Sequence, residues 1–275
     1  MHKLQMDNSV WFTGGGEMGA LMRAKDWAST PLGPPQQWSP SLKMMARFLL
    51  ANRFPLLLWW GPDFCQLYND AYRPILGTKH PQFLGRPVRE CWSEIWHILR
   101  PLIETPFNGG PATWMEDILL EINRYGYIEE THFTIAYSPV PDETIPGGIG
   151  GVLATVHEIS EKVVSQRRIE ALRDLSSRAT EAKTAEEACR IATDTLAKHS
   201  RDVPFALLYL VNADQDVATL AGSAGVDSNN LAQLHTVELN AASHQRRFGE
   251  AEDFKSTHVV DDVSNYFIDG TPQGP

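Results

Sequence analysis

Residues 54–77 place two apolar segments around a tight turn. The chain reads Phe54-Pro55-Leu56-Leu57-Leu58-Trp59-Trp60-Gly61, then Pro62-Asp63-Phe64, then Cys65-Gln66-Leu67-Tyr68-Asn69-Asp70-Ala71-Tyr72, then Arg73-Pro74-Ile75-Leu76-Gly77. This predicts a strand, a turn, a second strand and an abrupt entry into short helical turns. A hairpin that feeds small helices, and is followed later by three long strands, encloses a pocket. It does not by itself build a catalytic centre.

The three later strands are written in alternation. Residues 112–124 put Trp114, Ile118, Leu120 and Ile122 on one face. Tyr125-Gly126 turns the chain, and residues 127–139 put Phe133, Ile135 and Tyr137 on one face with Glu130, His132 and Thr134 on the other. Residues 148–159 alternate through Val152, Ala154 and Val156. Two strands, several short helices and then a three-strand meander predict an α+β domain, one five-stranded antiparallel sheet with helices on one face. That domain is expected over residues 41–159, after a lead-in over 1–40.

In the lead-in, residues 18–28 are expected to form a helix, stopped by Thr30-Pro31-Leu32-Gly33-Pro34-Pro35. Ser39-Pro40 supplies an N-cap and a first-turn proline to a helix patterned by Leu42, Met44, Met45, Phe48 and Leu49. Trp92, Ile95, Trp96 and Leu99 share a helical face expected to close a core or pocket wall.

Residues 160–182 contain no Gly or Pro and read as a helix leaving the sheet domain. Its narrow stripe is Ile169, Leu172, Leu175 and Ala179. A solvated linker helix (160–183) and a helix pairing with a second copy both satisfy that stripe. Thr184 and Glu187 have capping-box spacing and open an amphipathic helix over 185–198. Strands follow at 203–212 and 217–224, and a further strand and loop are expected at Val259, Val260, Asp261 and Asp262.

With 275 residues the chain has length for roughly two domains. Its net charge of −10 argues against nucleic acid and anionic membrane as partners. No apolar run reaches the ~18 residues of a membrane span, and the N-terminus lacks a signal-peptide profile. A soluble, cytoplasmic protein is the expectation. Cys65, Cys91 and Cys189 are widely spaced, which offers neither a zinc knuckle nor a dithiol motif.

Catalytic motifs are weak. His157-Glu158-Ile159-Ser160 is similar to a phosphoacceptor His-Glu pair, but it falls at a strand end without the expected proline. Gly147-Gly148-Ile149-Gly150-Gly151 lacks the helix and Lys-Ser/Thr of a phosphate loop. No Ser-His-Asp set or metal-ligand spacing emerges. No catalytic residue or metal ligand is therefore assigned. The remaining candidate is a pocket lined by Trp60, Tyr68, Asn69, Tyr72, Trp96, Trp114, Phe133 and Tyr137, with Trp92 nearby. For Asn69 a helix-capping role, and for the tyrosines simple core filling, compete with ligand contact.

Particular strings carry a resemblance. They are Gly16-Glu17-Met18-Gly19-Ala20, Asp26-Trp27, Thr30-Pro31-Leu32-Gly33-Pro34-Pro35, Trp59-Trp60-Gly61-Pro62, Leu67-Tyr68-Asn69-Asp70-Ala71-Tyr72, His80-Pro81 and Tyr137-Ser138-Pro139. Residues 10–180 resemble the N-terminal PAS module of a group of bacterial sensor histidine kinases. Glu158-Ile159-Ser160 is a softened match to the acidic-Ile-Thr tripeptide that closes such domains. Val203-Pro204-Phe205-Ala206-Leu207-Leu208-Tyr209-Leu210 extends the resemblance into a GAF-like domain over 184–275, expected to be cut short.

The resemblance implies a sensory input fragment of a two-component histidine kinase. A small ligand or partner is sensed, the message passes through the linker helix of a homodimer, and the kinase chemistry lies in downstream domains. It implies no particular cofactor. Competing readings are a PAS/GAF interaction module without a small ligand, and a flavin- or haem-binding sensor. For the latter, Cys65 and Cys91 lack the LOV string, and His80 or His97 would be the axial candidate.

Overall fold

The computed structural model describes residues 12–214, 216–226 and 235–238. It divides into two compact units, Met1–Ser160 and Glu161–Pro275.

In the first unit, α1 (Gly16–Ala24) and α2 (Pro40–Ala51) precede a hairpin of β1 (Leu56–Trp60) and β2 (Cys65–Tyr68). Three helices follow: α3 (Arg73–Leu76), α4 (Val88–Cys91) and α5 (Trp96–Phe107). The meander is β3 (Thr113–Asn123), β4 (Ile128–Pro141) and β5 (Ile149–Glu158). Strand order is β2-β1-β5-β4-β3, and every neighbouring pair is antiparallel. The expected α+β architecture is present.

β1 is buried at every position because it lies between β2 and β5 with packing on both faces. Trp59 pairs with Val152, and Leu57 with Ala154, on the face covered by α3–α5. Leu58 and Trp60 take the opposite face, towards α2. Gly151 pairs with Trp60, and a Cβ at Gly150 or Gly151 would collide with the Trp60 ring.

The described part of the lead-in, residues 12–40, belongs to this same core. Phe12, Met18, Met22, Trp27 and Trp38 are all buried in the cluster that contains β1. Trp27 and Trp38 meet edge to face at 5.0 Å, and their indoles donate to Met22 O and Gly33 O at 2.7 and 2.9 Å. The first helix ends at Ala24, short of the expected 28, because Lys25 turns to extended backbone. Ser39 caps α2 by accepting from Leu42 N at 3.1 Å. Leu42, Ala46, Leu49 and Leu50 form its buried face, while Met44 and Phe48 point outwards.

One further departure concerns β3. Between Met115 and Ile118 its register shifts against β4, so Trp114 pairs with Ala136 while Ile118 pairs with Phe133. Four residues on β3 thus span three on β4, a bulge that reverses the alternation. Asp117 carries the strain at φ 49. Ile118, Leu120 and Ile122 keep the inner face, but Trp114 lands on the outer one and is 60% exposed.

The second unit contains the rest of α6 (Ser160–Ala179), then α7 (Ala185–Leu196) and a three-stranded antiparallel sheet of β6 (Ala206–Val211), β7 (Val217–Ala224) and β8 (Thr236–Glu238), in that order. Thr184 caps α7 through Glu187 N at 3.1 Å, and the Glu187 carboxylate accepts from Lys183 N at 2.9 Å. Arg167 forks onto Asp202 at 2.8 and 3.0 Å, and Arg178 donates to Thr195 at 2.7 Å. These contacts turn Ala171 inwards and leave Ile169 and Leu172 on the open face. Leu175, expected beside them, is half-buried. The strand and loop expected at 259–262 lie outside the described residues. Among the described residues, no helix is long and apolar enough to cross a membrane.

Candidate functional site

The helices α3–α5 close over the inner face of the sheet and leave a cavity of about 30 Å³. Its aromatic walls are Trp59, Tyr72, Trp92, Phe133 and Tyr137, and Ile75, Leu99, Ile135 and Val156 are among its aliphatic ones. Trp59 and Tyr137 stack edge to face at 4.9 Å. Burial pushes the phenols of Tyr72 and Tyr137 upwards, so both are neutral hydroxyls. The Trp59 indole N–H is buried without a hydrogen-bond partner. That is room for a few waters, one of which needs about 10–15 Å³. Sites for organic ligands run to roughly 300–1,000 Å³. In this conformation the core is filled by its own side chains, and a flavin or porphyrin does not fit.

Of the eight residues predicted to line a pocket, Tyr72, Phe133 and Tyr137 do so. Trp60 is buried on the opposite face, because consecutive strand residues alternate and Trp59 takes the inner side. Trp96 is half-buried beside Phe64, with ring centroids 6.4 Å apart. Trp114 is turned to solvent by the β3 bulge.

Asn69 is a structural hub. Its Oδ1 accepts from Leu56 N and Tyr72 N at 3.1 and 3.2 Å, and its Nδ2 donates to Asn52 O and Phe54 O at 3.1 and 2.8 Å. Tyr68 is fully buried, and its hydroxyl meets His80 Nδ1 at 2.9 Å. His80 Nε2 meets Glu17 at 3.1 Å, so both ring nitrogens are engaged within the protein. Glu17 also pairs with Arg73 at 2.8 Å, and Asp70 accepts from Met18 N at 2.9 Å. Strings that are distant in sequence therefore converge to fasten α1 to the core. His97 is exposed. Cys65 and Cys91 are buried, and burial pushes both thiols up to about 12, leaving them protonated at neutral pH.

A second constellation stands where β5 passes into α6. Arg124 forks onto both oxygens of Glu158 at 2.8 and 2.9 Å and reaches Glu129 at 3.2 Å. Ser160 Oγ donates to Glu158 at 3.0 Å and accepts the His132 backbone N–H at 3.0 Å. Ile159 N donates to His132 O at 2.8 Å. Burial works to raise the Glu158 pKa. The Arg124 hydrogen bonds and charge, with Ser160, outweigh it and hold the carboxyl below its ordinary range. The sequence signal here was the Glu158-Ile159-Ser160 string. Arg124 and His132 carried none, because their role depends on which strands pair. His157 projects outwards at the strand end.

The sheet, with strand order β2-β1-β5-β4-β3, is the five-stranded antiparallel sheet with short helices that the resemblance implies. The fold is PAS-like. A sensory box sensor histidine kinase from Vibrio cholerae is similar at 15% identity, covering 43% of this chain and 88% of that one, with a TM-score of 0.29. The PAS domain of Bordetella pertussis BvgS is similar at 17% identity, over 48% of this chain and 96% of that one, with a TM-score of 0.31. The chromophore-binding domain of Stigmatella aurantiaca bacteriophytochrome is similar at 16% identity, over 64% of this chain and 53% of that one, with a TM-score of 0.27. No family model and no curated protein matches the chain.

Proposed function

We propose that this chain is a sensory input region, in which a PAS-like unit receives a stimulus and passes it through β5 into α6. The observation that carries this reading is the joint of Arg124, Glu158, Ser160 and His132. It ties three strands of the sheet to the first residues of the outgoing helix, so a shift in the sheet is felt there. In this reading the second unit is GAF-like, and the output is a histidine kinase carried on further domains of a cytoplasmic two-component protein. Phosphotransfer chemistry then lies outside these residues. Ile169 and Leu172, 60% and 63% exposed, form the contact between α6 helices of a homodimer.

The small volume of the cavity favours one version of this proposal. A cavity of about 30 Å³ suits a stimulus that acts by contact or by a very small species better than a stored organic ligand. The test is transmission. Ile135→Ala enlarges the cavity and should alter amide exchange over residues 160–168, and Arg124→Gln should abolish that response. An exchange change confined to the sheet would refute the relay.

A further inference from the structure

We infer that the stimulus read by this module is the proton, taken up at His132; the inference rests on the sensory reading above. His132 lies on β4 with its side chain only 8% exposed, and a carboxylate faces each ring nitrogen. Nδ1 meets Asp117 Oδ1 at 2.5 Å from β3, and Nε2 meets Glu130 Oε1 at 2.9 Å on its own strand. From β5, His157 shares this outer face opposite Thr134, while Glu158 reaches His132 only through Ser160 and the backbone and is matched by Arg124; from β3, Glu121 lies opposite Glu130.

An imidazolium donates an N–H to both carboxylates, whereas a neutral ring has a single N–H. When the ring gives up its proton, one of the two contacts therefore changes from a charge-assisted bond to a carboxylate against a lone pair. Asp117 is the group free to withdraw. Its side chain is 54% exposed, it sits in a bulge of the edge strand β3, and its φ of 49 is unfavourable for a residue with a Cβ. The backbone of His132 meanwhile holds Ile159 N and Ser160 Oγ. A proton on this ring thus braces the sheet at the root of α6, and its loss releases the bulge and loosens that root. No cavity is needed for such a ligand, in keeping with the filled core.

The test uses the whole chain and follows amide protection at Ile159, corrected for intrinsic exchange, from pH 5.5 to 8. Wild type should lose protection by about tenfold, the scale of one charge-assisted hydrogen bond. His132→Gln should be flat, and His80→Gln should keep the wild-type slope. A flat wild type, a His132→Gln variant with the wild-type slope, or a His80→Gln variant that loses it overturns the assignment. If His132→Gln does not fold by circular dichroism, Asp117→Asn decides, and an unchanged slope there overturns it. If the slope holds while Ile135→Ala sends nothing into residues 160–168, the proton site stands and the core-to-helix relay is what fails.

Discussion

Arg124 and Glu158 are separated by 34 residues, yet their side chains close two parallel hydrogen bonds at 2.8 and 2.9 Å. The guanidinium follows the end of β3, and the carboxylate ends β5, the strand that becomes α6. Because both side chains are largely buried, removing one leaves the other charge without its partner. Arg124→Met should lower stability by about 2 kcal/mol, measured by urea denaturation.

The same pair sets an acid limit. The Glu158 carboxyl titrates below its unfolded value, so its contribution is complete above the ordinary carboxylate range, near pH 4.3, and is lost as pH falls through the folded value. Melting temperatures from pH 3 to 7 should show an acid-side fall in wild type that is shallower in Arg124→Met.

Asn69 spends both its acceptor oxygen and its amide hydrogens on the backbone of the β1 entry and the turn after β2. Asn69→Ala should cost about 2–4 kcal/mol, because four backbone groups lose a partner in a buried site. Asn69→Asp should also destabilise, since a carboxylate cannot donate to Asn52 O and Phe54 O. Chemical denaturation of the two variants checks both.

Two tryptophans should behave oppositely. Trp59 is 2% exposed and walls the cavity, so Trp59→Ala should cost about 3–5 kcal/mol. Trp114, mostly exposed beyond the bulge, should tolerate alanine within about 0.5 kcal/mol. Calorimetric melting of each variant separates them.

The thiols provide a solution check on burial. A disulfide reagent at pH 8 should label Cys189, which is partly exposed, well before Cys65 and Cys91. Labelling of all three at one rate in the native protein would contradict the burial that raises the latter two to about 12.

Ile169→Asp with Leu172→Asp should convert a homodimer to a monomer in light scattering while leaving the far-UV circular dichroism unchanged, because both positions are exposed within one protomer. A monomeric wild type would remove α6 pairing from the proposed mechanism.

Local chemistry alone determined much of this protein. Alternation fixed the inner faces of β4 and β5, Ser39-Pro40 started α2, and Thr184 with Glu187 started α7, since caps and strand period depend on near neighbours. The tertiary structure decided the rest. The β3 bulge moved Trp114 to solvent, the pairing of β1 with β5 chose Trp59 over Trp60 for the cavity, and aromatic packing drew Phe12, Trp27 and Trp38 of the lead-in into the core. Arg124, Asp117 and His132 gained their roles only when strands far apart in sequence were brought side by side. Register and long-range pairing are properties of the assembled sheet, and no local window of residues specifies them.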